Sequence, residues 1–331
     1  MFALTMAGTL PGCAASGPED SSPGQEPEGT SWAYGRWDVV VQHPEGEYPS
    51  WFEITSGDNG PSGRFVGRWG SARPIPQLHV EGQELRFSLP VQWEEHSQDM
   101  RFEGRFEDGR VEGETNAADG SMVPFRAVPA PPLERSGQVD FAQEPVDLLA
   151  DGLEAWRLRH AEGPDGWSFE EGVLANQPPS VDLITRQEFG DFKLQVEFLM
   201  PEGSNSGVYL RGHYEVQIQD DHGKEPDSHN CGGLYGFITP SQMACNPAGE
   251  WNRYEITLVG RTVTLVCNGI TIIEGQEIPG ITGGALSSDE DGRGPIMLQG
   301  DHEAVRYRNL LLWPALHGEG QGGGSSDGNG P

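Results

Sequence analysis

Residues 262–273 read TVTLVCNGITII, two alternating runs set around Asn268-Gly269. Asn-Gly tolerates positive φ at both positions, as the two-residue type I′ turn demands, and that turn matches the right-handed twist of paired strands. The stretch therefore predicts an antiparallel hairpin, and the same pattern recurs along the chain. Met100 and Phe102 alternate with Arg101 and Glu103, and Glu107-Asp108-Gly109 supplies another turn. No strand–helix–strand alternation appears, which argues against a parallel sheet. The 47 glycines and 26 prolines in 331 residues suit a turn-rich β protein. The fold expected is all-β, with two packed antiparallel sheets in the second half of the chain.

The composition divides the chain. Residues 1–30 hold a short apolar run, then Leu10-Pro11-Gly12-Cys13, then a Ser/Gly/Pro/Glu stretch too polar to build a core. The run resembles the lipobox of a bacterial lipoprotein signal. Cys13 would then be lipidated, the protein would sit in the cell envelope, and membrane contact would come through that anchor alone. Residues 31–129 read as about seven short strands, a small antiparallel barrel or sandwich. Residues 130–140 continue a Pro-rich linker, 141–316 form a second β series, and 317–331 are a Gly-rich tail. A net charge of −30, from 51 acidic against 21 basic residues, argues against nucleic acid as a partner. Cys231 and Cys245 are separated by 13 residues and either pair or remain buried thiols. No Cys/His finger spacing suggests zinc.

GVYLRGHYEVQIQDD, residues 207–221, concentrates the chemistry. Tyr214, Val216 and Ile218 alternate with Glu215, Gln217 and Gln219, so one face suits a core and the other a polar ligand. Side chains at i and i+2 lie ~6.5–7 Å apart on one face, a spacing that suits neighbouring sugar hydroxyls. Arg211 and His213 are read on the same polar face; a plain solvated surface is the bland alternative. Glu215, Gln217 and Asp220 also carry the i, i+2, i+5 spacing of the catalytic strand of jelly-roll β-glucanases, with an amide in the middle position. Asn205 and Ser206 form a polar turn beside the strand. Tyr235, flanked by glycines, is expected to open onto the cleft, and Trp251 either stacks on a sugar or joins the core. His302 follows a strand beside Asp301. Asp221/His222 and Asp227/His229 raise the question of a divalent ion, but such spacing does not define a site. No cofactor or metal is expected.

From LLADGLEAWR (148–157) through FGDFKLQVEF (189–198), GSNSGVYLRGHYEVQIQDD (203–221) and GGLYGFITPSQMACNPAGEWNRYEITLVGRTVTLVCNGITII (232–273) to GPIMLQGDHEAVRYRNLLLWP (294–314), the chain resembles the 3-keto-disaccharide hydrolase family. The resemblance runs over roughly 145–315. Cys231 departs from it, standing where an aliphatic residue is expected. The family implies a concanavalin A-like jelly-roll sandwich and a 3-keto-glycoside as carbohydrate substrate. It also implies elimination followed by hydration, which together amount to hydrolysis.

That chemistry needs a base for the C2 proton, an acid for the leaving oxygen and donors for an enolate. Glu215 or His302 is assigned as base, and Asp220 or the other member of that pair as acid. Arg211, Gln217 and Tyr235 are assigned to anion binding, and Asn205, Asp301 and Trp251 to the substrate. Glu215 is expected to face a wet cleft. A non-catalytic carbohydrate-binding module and an ordinary β-glucanase-like hydrolase are the alternatives.

Overall fold

The structure is a computed structural model and describes residues 29–57, 60–94, 98–133 and 138–316. Cys13 and the tail lie outside the described residues, as does part of the linker. Among the described residues every strand pairing is antiparallel, and the helical segments are short 3-10 turns at Ser31–Ala33 and Gly152–Ala155. The chain is all-β.

Nine strands from Gly35–His43 to Met122–Pro129 make one sheet, in which neighbours in sequence pair as hairpins, except Arg73–Pro74 and Gln77–Glu81 at its two edges, and the first strand pairs with the last. Gly60–Val66 contacts Gln77–Glu81 across the open edge, so the sheet curls nearly into a barrel. Alternate residues point inward: Trp37, Val39 and Val41 meet Phe52, Phe87, Phe102 and Phe125 in one aromatic core. Phe87 and Phe102 stack with centroids 4.7 Å apart. Both expected hairpin turns form, with positive φ at Asp108 and Gly109 and at Asn268 and Gly269. Ala127–Pro129, within the Pro-rich stretch, still pairs with Trp37–Val39 as part of the ninth strand.

The second unit is the jelly-roll sandwich. Its smaller sheet runs, in spatial order, Trp156–Leu158, Leu183–Thr185, Met297–Leu298, Asn205–Leu210 and Tyr214–Gln219. The larger sheet is built around Val305–Leu316, Phe192–Leu199, Trp251–Val259 and Thr262–Cys267. Val208, Leu210, Tyr214, Val216 and Ile218 meet Leu194, Val196, Phe198, Tyr254 and Leu265 between the layers. The opposite face of the smaller sheet is turned away from this core, and there the first unit approaches.

The two units share an apolar seam of Trp51, Val66, Ile281 and Ala285, with Phe237 against it. Trp51 and Phe237 meet edge to face at 5.6 Å. The approach is close enough to exclude side chains: a Cβ on Gly280 would fall 2.3 Å from the Trp51 ring, and one on Gly283 would fall 2.1 Å from the Gly70 carbonyl. Arg261 donates to Glu290 through Nη2 at 2.7 Å and Nε at 3.1 Å, and its Nη1 donates to the Pro131 carbonyl at 3.0 Å. Asp38 of the first unit lies beside that pair, where burial and the Glu290 charge push its carboxyl up to about 8.

Candidate active site

The stretch 205–219 is two strands joined by a tight turn. Leu210 pairs with Tyr214, and Arg211 (φ 52°) and Gly212 (φ 68°) reverse the chain. That register sets Tyr209 opposite Glu215, and Gly207 opposite Gln217. Glycine is required at 207 because a Cβ there would lie 2.3 Å from Glu215 Oε1. The hairpin thus makes a pocket for one carboxyl.

The outer edge of Tyr214–Gln219 is covered by the loop that follows it. Gln217 N donates to the Gly233 carbonyl at 2.9 Å, and Tyr235 N donates to the Glu215 carbonyl at 3.0 Å. A Cys231–Cys245 disulfide ties this loop, and Cys267 remains a buried thiol with its Sγ 3.5 Å from that of Cys245. Cys231 also abuts Tyr254, whose hydroxyl donates to the Gln217 carbonyl at 2.8 Å. The sulfur therefore fills a core position under the loop.

A cleft of about 480 Å3 opens over this hairpin. Glu215, Gln217, Asn205, Tyr235, Asp301 and His302 all line it, together with Tyr209, Asp182, Arg159 and Gln299. Glu215 is 3% exposed, so it lies in a dry floor rather than on the wet surface expected. Burial pushes its carboxyl up to about 8, against the opposing pull of the Tyr209 hydroxyl and His302. His302 Nδ1 sits 2.6 Å from Asp301 Oδ1, and that hydrogen bond raises the imidazole above its ordinary range. Burial works against Asp301, but the His302 contact holds its carboxyl low. Asp182 accepts from Arg159 Nη1 at 2.9 Å and from Gly300 N at 3.0 Å. Gln217 Nε2 lies 3.1 Å from Asn205 Oδ1, and with the amide turned over it donates to Glu215 Oε1 at 3.3 Å. Burial raises the Tyr235 phenol to about 12, so it is present as a donor at neutral pH.

Three expected members, and His213 with them, lie elsewhere. Arg211 belongs to the turn, so strand alternation does not apply to it. It is 2% exposed and donates to the Gly260 carbonyl at 2.8 Å and toward the Tyr214 hydroxyl at 3.3 Å. His213 is likewise buried, and burial with the Arg211 and Arg261 charges drives it down to about 3. Asp220 lies past the strand end and accepts from Gly203 N at 2.9 Å. Trp251 opens a strand of the other sheet, with the Arg308 guanidinium 3.9 Å from its ring centroid. None of these lines the cleft.

Tyr209 was missed, although its signal was present: a turn centred on Gly212 sets 209 across from 215. Asp182 and Arg159 come from distant segments and carried no local signal. Nor did Trp69, Gly70 and Trp93, which the first unit contributes.

Residues 145–312, just over half of the chain, match the family described as the 3-keto-alpha-glucoside-1,2-lyase-like domain. The chain belongs to that family. It is 24% identical over 184 residues to a 3-keto-disaccharide hydrolase of Bacteroides thetaiotaomicron, a match that covers 42% of this chain and 63% of that relative. A candidate glycosyl hydrolase of Parabacteroides distasonis has 25% identity, covers 54% of this chain and 92% of its own, and superposes with a TM-score of 0.45. A carbohydrate-binding module from Bacillus subtilis gives 10% identity, 48% and 94% coverage, and a TM-score of 0.33. The family is one of carbohydrate-active enzymes by its description, and the cleft described above lies on its sandwich.

Proposed function

We propose that this family member cleaves a 3-keto-glycoside by elimination and hydration. The observation that carries the reading is the buried Glu215 carboxyl, faced across the cleft by the Asp301–His302 pair. A ketone at C3 acidifies the C2 proton. Glu215, as carboxylate, takes that proton, and a carboxylate destabilised by burial is the stronger base for it. The electrons move onto the C3 oxygen, where the Tyr235 hydroxyl and the Gln217 amide are the cleft donors available to an enolate. The enolate collapses, the C1–O bond breaks, and the His302 imidazolium protonates the departing oxygen. Water then adds at C1, giving its proton to the now neutral His302, while Glu215 returns a proton to C2. Both groups end as they began.

The charges favour this assignment, since each stabilises the active form of the other: His302 pulls the Glu215 carboxyl down and Glu215 pushes the imidazole up. A non-catalytic sugar-binding role leaves the burial of Glu215 unexplained. An ordinary retaining glycosidase wants two free carboxyls ~5–5.5 Å apart; Asp220 lies outside the cleft, and the other carboxyls that line it are engaged, Asp182 by Arg159 and Gly300 N and Asp301 by His302. The test is cleavage in deuterated water. Deuterium at C2 of the 3-keto-sugar product, above the uncatalysed exchange rate, supports elimination; product without it, together with no kinetic isotope effect from substrate deuterated at C2, refutes the route.

A further inference from the structure

The family match begins at residue 145, yet the cleft is roofed by two tryptophans from before it, Trp69 and Trp93. Trp69 is anchored to the floor side. The Arg159 guanidinium lies 5.6 Å from its ring centroid and is itself bound to Asp182 at 2.9 Å. Gly284 N donates to the Arg68 carbonyl at 2.9 Å, fixing the Trp69 loop onto the sandwich.

Trp93 is different: it is 66% exposed, the most open large apolar side chain among the described residues. Its backbone is nevertheless braced. Glu94 takes Arg73 Nη2 at 2.8 Å and Gln92 N at 2.8 Å, while Gln92 Oε1 accepts from Ser71 N at 3.2 Å and Arg73 Nη1 at 3.1 Å. Gly70 leaves room for the ring, since a Cβ there would lie 2.6 Å from Trp93 Cδ1. An indole left in water on a braced backbone at the mouth of a polar cleft is unfavourable unless a ligand covers it.

The depth order of the cleft says which part of a ligand that is. Glu215 and Tyr209 are at the floor, 3% and 2% exposed, so the ring undergoing C2 deprotonation must lie deepest. Its C1 substituent then projects toward the rim. A volume of about 480 Å3 falls in the ~300–1,000 Å3 range of small-molecule sites.

We propose that the first β unit supplies the leaving-group subsite, with Trp93 stacking on the apolar face of a second sugar ring and Trp69 closing the cleft behind it. The proposal rests on the keto-glycoside reading. It assigns preference for a disaccharide over a small glycoside to a unit outside the matched family domain.

The test compares the full chain with Trp93→Ala and Trp93→Phe on a 3-keto-disaccharide and on the matching 3-keto methyl glucoside. Trp93→Ala should lower the ratio of kcat/KM for the disaccharide over the methyl glucoside about tenfold, about 1.4 kcal/mol, and Trp93→Phe should restore most of it. An unchanged ratio overturns the proposal, as does equal loss by both variants. A phenyl glycoside that shows the larger loss would replace the sugar ring by an aromatic aglycone and overturn it too. If the parent turns over neither substrate, the functional reading fails separately. Calorimetric titration with the unoxidised disaccharide and with glucose then decides the subsite. A disaccharide preference lost in Trp93→Ala sustains it, and no preference in the parent overturns it.

Discussion

The Tyr209 hydroxyl lies 2.9 Å from Glu215 Oε2 and also 2.9 Å from the Gly283 carbonyl oxygen. It has one proton for two acceptors. The conflict disappears when Glu215 carries a proton: the carboxyl donates to Tyr209, and Tyr209 donates to Gly283. A Tyr209 hydroxyl donating to Glu215 favours the carboxylate, but burial outweighs it and favours the neutral acid at rest, so the carboxylate is formed against an opposing environment. Gly284 keeps the contact possible, since a Cβ there would lie 2.6 Å from the Tyr209 hydroxyl.

The pH profile follows. As base, Glu215 must be ionised, and its carboxyl is pushed up to about 8. kcat/KM should therefore rise as Glu215 ionises, through about pH 8, with a protonated His302, whose imidazole is raised, as the second requirement. A rate that already declines across that limb would make Glu215 the acid. Tyr209→Phe removes the shared proton and should lower kcat by about 10- to 100-fold while shifting the ascending limb, at or below the lower end of the ~10²- to 10⁴-fold range for direct general acid–base help.

Stability responds to the same group. The folded carboxyl titrates near 8 and the unfolded one near 4.5. Folding therefore favours the protonated form. Its contribution is full below the unfolded value, is lost as pH rises to about 8, and stays lost above. At about 1.4 kcal/mol per pH unit, the loss is a few kcal/mol at most. Glu215→Gln has no charge to bury, so it should melt higher than the parent at pH 9 and nearly alike at pH 4. Equal Tm differences at the two pH values would contradict this.

Part of this was legible in the sequence. Period-two alternation and the Asn-Gly and Asp-Gly turns indicate antiparallel sheets, because side-chain direction is a local property. Glu215, Gln217, Asn205, Tyr235, Asp301 and His302 were readable because polar side chains recur on the ligand face of one strand or flank its neighbours. Arg211 was misread because alternation ended at a turn whose positive φ at a non-glycine residue carries no strong signal. Trp251 was chosen by residue type and Asp220 by its i, i+2, i+5 spacing with Glu215 and Gln217, and packing on another sheet or a backbone N–H took them. Trp69 and Trp93 depend on how two units meet, and no local pattern encodes that.

The shared seam predicts one cooperative unfolding. Trp51 is fully buried against Phe237 and above Gly280, so Trp51→Ala leaves a large void. It should cost ~3–5 kcal/mol, and the parent should show a single calorimetric transition. Two separate transitions in the parent would mean that the units are only loosely coupled.

The disulfide predicts a redox-dependent melting point. Closing a loop of about 15 residues is worth ~3 kcal/mol, and the Cys231–Cys245 loop has a sequence separation of 14. The Cys231→Ala/Cys245→Ala variant should melt below the oxidised parent and lose activity first at raised temperature, because the tied loop carries Tyr235. Indifference of the parent's Tm to reductant would argue that the loop is held by its backbone bonds alone.

The central claim is proton transfer at a keto-sugar by Glu215, and one comparison tests it most directly: turnover of a 3-keto-disaccharide and of its unoxidised parent sugar by the full chain and by Glu215→Gln. The amide keeps the shape and hydrogen-bonding capacity of the side chain and removes its basicity. The account predicts cleavage of the keto-disaccharide alone, falling by about 10²- to 10⁴-fold in the variant, with affinity for the sugar retained. Cleavage of the unoxidised disaccharide at a comparable rate, or full keto-disaccharide activity in Glu215→Gln, would contradict it.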